Sequence, residues 1–135
     1  VRHLGHVSDG YTYMKSLGYD EAAKICLTHS FNNHTVEEYI GKFDVSSEEL
    51  TLITQELAKT VYDDYDRLIQ LCDALAGADG VLDIEARMND VKQRYGSYPQ
   101  EKWDANIKLK RYFEEKMQQD FYLVCEKDTF TPDDL

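Results

Sequence analysis

Apolar residues recur with a helical period along almost the whole chain, and this pattern limits the fold more than any other feature. Alternation with a period of two, which marks a half-buried strand, is nearly absent. Prolines, which interrupt helices, occur only at Pro99 and Pro132. A chain of 135 residues can bury a core without disulfide or metal staples. The sequence therefore predicts an all-α fold, a single compact bundle of about six or seven helices.

Capping and turn residues set the predicted helix limits. Asp20 can cap the second helix, and Ser46 with Glu49 forms the pattern of a capping box. Gly77 and Gly96 lie where helices are expected to end. Helices are predicted at residues 6–17, 21–29, 46–58, 63 or 64 to 77, 81–95 and 100–121, with a short helical turn at 35–40. We expect a helical domain over residues 1–125 and an acidic tail over residues 126–135.

The charge and the apolar runs exclude several classes of function. The chain has 26 acidic and 15 basic residues, a net charge of -11. A protein that binds the nucleic-acid backbone needs a basic stripe, so we expect no such partner. No apolar run approaches the roughly 18 residues of a membrane span, and no signal-peptide pattern is visible. If the ligand is an anionic phosphoester, a bound divalent cation would have to reverse the local field.

The three cysteines do not form a disulfide or metal-binding pattern. Cys26, Cys72 and Cys125 are odd in number, widely spaced and without a CxxC pair. Cys26 and Cys72 fall within apolar helical patterns, so we expect them to be small core residues in a reducing compartment. This usage predicts a cytoplasmic protein.

Three polar residues stand in apolar helical surroundings and form the candidate site. Asp73 lies between Leu71 and Leu75, so we expect it to be partly buried, and a buried carboxylate needs a cation or donors beside it. His29 continues the apolar face of the second helix where it opens into a polar loop, and His6 begins the first helix. Two imidazoles and a carboxylate suit divalent metals. We therefore expect His6, His29 and Asp73 to converge on one polar cavity.

Each candidate also has a simpler interpretation. His29 could be a core histidine bonded to a backbone carbonyl, Asp73 could pair with a lysine or arginine, and His6 could be solvated. His3 and His34 are predicted to be surface residues. The aspartates that open the fourth predicted helix are interpreted as solvated, where they favour the helix dipole: Asp63, Asp64 and Asp66.

Other catalytic chemistries find little support in the sequence. No glycine-rich phosphate loop, GxSxG elbow, HExxH or EF-hand spacing occurs. Cys26 and His29 could suggest a thiol nucleophile, but an apolar helix face raises the pKa of a thiol.

Several segments together resemble one known family. They are HVSDGY at 6–11, LGYDEAAKICLTHSF at 17–31, YDDYDRLIQLCDAL at 62–75, and shorter stretches at 85–88, 94–96 and 102–103. They are similar to a bacterial branch of the HD-domain metal-dependent phosphohydrolases. The resemblance covers most of the chain and implies an all-α domain that holds one or two divalent ions (manganese, iron, nickel, zinc or magnesium) between helices. Asp73 matches the family's late aspartate, and His6 and His29 match additional histidines of this branch.

The resemblance implies hydrolysis of a small phosphorylated substrate, a phosphoester or nucleotide, by metal-activated water. The chain contains no His-Asp dipeptide, and the family's early histidine and His-Asp doublet are expected before Val1. On this interpretation the chain is an incomplete phosphohydrolase, and no catalytic residue is assigned. The alternative is a degenerate, non-catalytic helical module for interaction or dimerisation, and formation of a homo-oligomer stays open.

Overall fold

The structure, a computed structural model, describes residues 2–127 and confirms the all-α prediction. Seven α-helices lie in this part of the chain: α1 Gly5–Ser16, α2 Asp20–Thr28, α3 Ser47–Lys59, α4 Asp64–Leu75, α5 Ile84–Tyr95, α6 Gln100–Met117 and α7 Phe121–Lys127. The helical turn predicted at 35–40 is a 3-10 helix at Val36–Glu38. The tail predicted at 126–135 lies, from residue 128 on, outside the described residues.

Two reciprocal capping boxes fix the starts of α3 and α4. The Ser46 hydroxyl accepts from the Glu49 amide, and the Glu49 carboxylate accepts from the Ser46 amide, as predicted. Asp63 and Asp66 make the same exchange at α4. By contrast, α2 begins at Asp20 itself, so this carboxylate lies in the first turn, where it favours the helix dipole, and does not cap the helix.

A small antiparallel hairpin between α4 and α5 was not predicted. Strands β1 (Ala76–Gly77) and β2 (Gly80–Val81) pair in the register Ala76 with Val81. Gly80 has a φ of 135°, which glycine adopts readily, so the chain turns back here. Asp83 then caps α5 by accepting from the Ala86 amide, so α5 starts three residues later than predicted.

The predicted last helix, 100–121, is two helices. Gln118 has a left-handed φ of 55° and ends α6 at Met117. Phe121 is buried at the start of α7, which anchors the second helix to the core. Helix α7 continues to Lys127, past the domain limit predicted at residue 125.

The core has two apolar clusters, and α4 packs against helices from both. The first joins α1, the end of α2 and α3: Leu4, Val7, Leu27, Phe31, Val36, Ile53 and Leu57. The second joins α4 to α7: Leu71, Leu75, Ile84, Met88, Phe113 and Phe121. Helix α4 contacts α2 on one side and α5 and α6 on the other. No helix between residues 2 and 127 has the length and apolar character needed to cross a membrane.

The predicted core position of Cys72 is wrong. Cys72 is exposed, and Cys26 is half-buried. Cys72 shares the outer face of α4 with Tyr65, Leu68 and Ile69, which are also exposed. An apolar stripe on one helix does not by itself show which face the rest of the chain covers.

Candidate functional site

All three predicted site residues line one cavity of about 260 Å³. His6 comes from the first turn of α1, His29 from the residue that ends α2, and Asp73 from the last turns of α4. The opposite wall is formed by side chains of α5, of α6 and of the loop between them: Arg87, Arg94, Tyr98, Lys102 and Asn106. The geometry therefore brings the candidate ligands to the same space, where the two core clusters meet.

The two histidines face each other directly. His6 Nε2 lies 3.0 Å from His29 Nε2. His29 Nδ1 lies 2.9 Å from the Cys26 carbonyl oxygen, and His6 Nδ1 contacts the carbonyl oxygen of His3. Because a carbonyl oxygen only accepts, each Nδ1 carries a proton and donates it. In the neutral rings, each Nε2 is therefore an acceptor.

Two acceptor nitrogens at 3.0 Å repel each other unless a proton or another cation lies between them. Burial lowers the pKa of His29, and the positive charge of His6 acts in the same direction, while the negative charge of Asp73 opposes the shift. The neutral form of His29 is thus favoured. A proton on the Nε2 atom of His6, or a metal ion between the two rings, would satisfy both Nε2 lone pairs.

A buried polar network holds the end of α2 in place. Asp66 is fully buried, and its carboxylate accepts from Thr28 Oγ1 at 2.7 Å and pairs with Lys24 Nζ at 2.7 Å. Gln70 Nε2 donates to the Thr28 carbonyl at 3.0 Å. Since Thr28 directly precedes His29, α4 fixes the position of this imidazole.

The predictions for two aspartates of α4 are reversed. Asp66, predicted to be solvated, is buried, and Asp73, predicted to be partly buried, is exposed. Both lie on nearly the same face of α4, about two turns or 10 Å apart. Helix α2 covers Asp66 but ends at Thr28, so Asp73 lies beyond its end and faces the cavity instead of a neighbouring helix.

Among the described residues, Asp73 lies in the same cavity as the two histidines but does not hydrogen-bond to them. It lines the cavity, and its charge acts on His29, yet within residues 2–127 it makes no hydrogen bond to either imidazole. Across that same described part of the chain, no three His, Cys, Asp or Glu side chains are arranged to hold one ion. The two imidazoles are therefore the candidate ligands that the structure already brings into contact.

Three cations that the sequence analysis did not select line the cavity: Arg87, Arg94 and Lys102. Lys102 Nζ donates to the Ser30 carbonyl at 2.6 Å and to Asn32 Oδ1 at 3.3 Å, and burial lowers its pKa. Arg87 and Arg94, seven residues apart, share a face of α5, a pattern visible in the sequence. The sequence did not show that this face lines the cavity that contains His6 and His29.

The other two histidines lie away from the cavity. His34 is exposed, as predicted, and its ring stacks on Tyr62 with 3.7 Å between the ring centroids. His3 is half-buried, and its backbone amide donates to Asp44. Neither lines the space between His6 and His29.

Comparison with family models, curated proteins and solved structures finds no match to this chain. The resemblance to HD-domain phosphohydrolases therefore stays a prediction that depends on the sequence segments alone.

Proposed function

We propose that the cavity binds a divalent metal ion through His6 and His29 and a small phosphorylated ligand beside it. On this proposal the chain is an HD-type metal-dependent phosphohydrolase. The observation that carries it is the pair of Nε2 atoms facing each other at 3.0 Å with both Nδ1 atoms bonded to carbonyl groups.

The imidazole pair fits a metal in two respects. Two adjacent ligands that are each about 2.0–2.1 Å from one ion lie about 3 Å apart, which is the spacing of the two Nε2 atoms. Histidines that bind metals almost always donate the other ring N–H to a carbonyl or carboxylate, as both do here. Asp73 is the candidate third ligand, because it lines the same cavity and an exposed side chain changes rotamer readily.

The charge around the cavity supports an anionic ligand. The whole chain carries a net charge of -11, yet the cavity is lined by Arg87, Arg94 and Lys102 against the single carboxylate of Asp73. A local excess of positive charge in an acidic protein attracts a small anion to this place and not to the rest of the surface. Phosphate groups suit guanidinium and ammonium donors.

Bound metal would supply a Lewis acid and an activated water for attack on phosphorus. The residues of this chain would hold the ion at the imidazole pair, with the cationic wall holding the phosphate oxygens. A metal with two imidazoles and one mobile carboxylate is weakly held, because few ligands orient it. We therefore expect slow turnover.

Turnover of a chromogenic phosphoester and of nucleotides tests the proposal, with manganese, iron, nickel, zinc or magnesium added to metal-free protein. The expected result is slow, metal-dependent hydrolysis by the wild type. The His29→Ala variant should lack this activity, and the His34→Ala variant should retain it. His34 is the matched control, because it is exposed and lies outside the cavity. Hydrolysis that is independent of metal and survives His29→Ala would contradict the proposal. A folded protein that neither binds metal nor hydrolyses phosphoesters would favour the interaction module.

A further inference from the structure

The guanidinium group of Arg87 contains a buried donor without an acceptor. Arg87 Nε donates to the Ala76 carbonyl at 2.7 Å, which fixes the side chain against the β1 strand. Arg87 Nη1 is buried and has no hydrogen-bond partner within residues 2–127. Asp90 Oδ2 lies 3.7 Å from Nη1, which is close enough for an ion pair but beyond hydrogen-bond distance.

A buried donor of this kind is uncommon, and it indicates an acceptor that residues 2–127 do not supply. Buried polar atoms are nearly always paired, and leaving one unpaired costs free energy, more so for a charged group. Arg87 lines the cavity, so a ligand there can supply the acceptor. The other two cations that line the cavity have closer partners: Lys102 donates to the Ser30 carbonyl at 2.6 Å, and Arg94 lies 2.9 Å from the Asp90 oxygen that is 3.7 Å from Arg87.

The charge around Arg87 favours an oxyanion over a neutral acceptor. Lys102 shares the cavity and adds a second positive charge. A guanidinium group offers parallel N–H donors that match two oxygens of a phosphate. The cavity, at about 260 Å³, is larger than one phosphate ion, so the ligand can extend beyond its phosphate group.

We propose that Arg87, supported by the charge of Lys102, forms an oxyanion subsite that binds the phosphate group of a small phosphate monoester without needing the metal. The choice of phosphate over other oxyanions rests on the proposed function, but the subsite itself does not depend on the imidazole pair. Arg87 is thus assigned as the residue that selects the charge of the ligand.

Titration of the metal-free protein with inorganic phosphate, by calorimetry in the presence of a chelator, tests this subsite. The variant is Arg87→Met, and Arg111→Met is the matched control because Arg111 is an exposed arginine of α6 outside the cavity. We expect the affinity for phosphate to fall by about 10-fold or more in Arg87→Met, the loss typical of a hydrogen bond to a charged group, and to stay unchanged in Arg111→Met. Arg87→Lys keeps the charge without the guanidinium fork, and we expect an intermediate loss.

Circular dichroism establishes whether each variant is folded. If Arg87→Met does not fold, the affinity of Arg87→Lys for phosphate is compared with that of the wild type instead. Equal affinity for phosphate in the wild type and the folded Arg87 variant would overturn the subsite. So would a wild type that binds no phosphate, or that binds acetate more tightly than phosphate. Because no metal is present, phosphate binding that persists in His29→Ala supports the subsite even if the metal-dependent function fails.

Discussion

His6 Nε2 and His29 Nε2 face each other at 3.0 Å, while each Nδ1 contacts the carbonyl group three residues earlier in its own chain segment. The two imidazoles are thus oriented in the same way by two different helix ends. This orientation directs two acceptor nitrogens at one point in the cavity. A cation at that point would satisfy both nitrogens.

The buried ion pair of Asp66 is expected to stabilise the fold. Asp66→Asn removes the charge that Lys24 Nζ meets at 2.7 Å and leaves the ammonium with a weaker partner. Lys24 is 29 % exposed and keeps Asp63 Oδ2 at 3.4 Å, so we expect the free energy of unfolding to fall by about 1.5–3 kcal/mol, the range for hydrogen bonds to a charged group. Urea denaturation measures this loss. Asp104→Asn, at an exposed position of α6, is the control and should change stability by less than about 0.5 kcal/mol. A loss of less than about 1 kcal/mol in Asp66→Asn would contradict the assigned role.

The contrast between Asp66 and Asp73 shows how far the sequence carries the prediction. The helical period, the capping box of Ser46 and Glu49 and the glycines predicted most helices, because these features act within a few residues of each other. The burial of each aspartate depends on where α2 ends relative to α4, which is a relationship between two helices. Apolar neighbours in the sequence therefore suggested the wrong aspartate as the buried one.

The candidate metal ligands of the site could be predicted from the sequence, and the cations that line the same cavity could not. His6, His29 and Asp73 were selected because polar groups stood in apolar patterns, and all three line the cavity. Arg87 and Lys102 were not selected, because a cation on an amphipathic helix usually lies in solvent. Only the contact of α6 with the loop after α2 and the packing of α5 against α4 bring these cations to the same cavity as the imidazole pair.

Glu49 is expected to make stability depend on pH in the acid range. The Arg2 guanidinium donates to its carboxylate at 2.5 Å and Ser8 Oγ donates at 2.8 Å, and these contacts lower its pKa to about 2. Because the ionised form is favoured in the fold, the stabilisation is complete above the ordinary value of about 4.5 and is lost as the pH falls towards about 2. The melting temperatures of the wild type and Glu49→Gln should therefore differ at pH 7 and converge near pH 2.

The neighbouring residue provides the control for this pH dependence. Glu48 is exposed in the same helical turn, so Glu48→Gln should follow the wild type across the whole pH range. A difference between the wild type and Glu49→Gln that stays constant from pH 7 to pH 2 would show that the carboxylate charge is not responsible.

Asp73 is expected to contribute to metal binding and not to stability. Its side chain is exposed, so Asp73→Ala should change the free energy of unfolding by less than about 0.5 kcal/mol. Loss of a third ligand should lower metal affinity by about 10-fold or more and reduce phosphoester hydrolysis. Asp79→Ala, in the exposed hairpin turn, should leave both properties unchanged. Unchanged metal affinity in Asp73→Ala would assign the ion to the imidazole pair without this carboxylate.

Calorimetric titration of the metal-free protein with Ni²⁺ at neutral pH tests the central claim most directly, because it asks only whether the imidazole pair binds a cation. We predict binding in the wild type that is lost in both His6→Ala and His29→Ala and retained in His34→Ala. The control residue is exposed and outside the cavity. A wild type that binds no Ni²⁺, or a His29→Ala variant that binds it as tightly as the wild type, would contradict a metal site between His6 and His29.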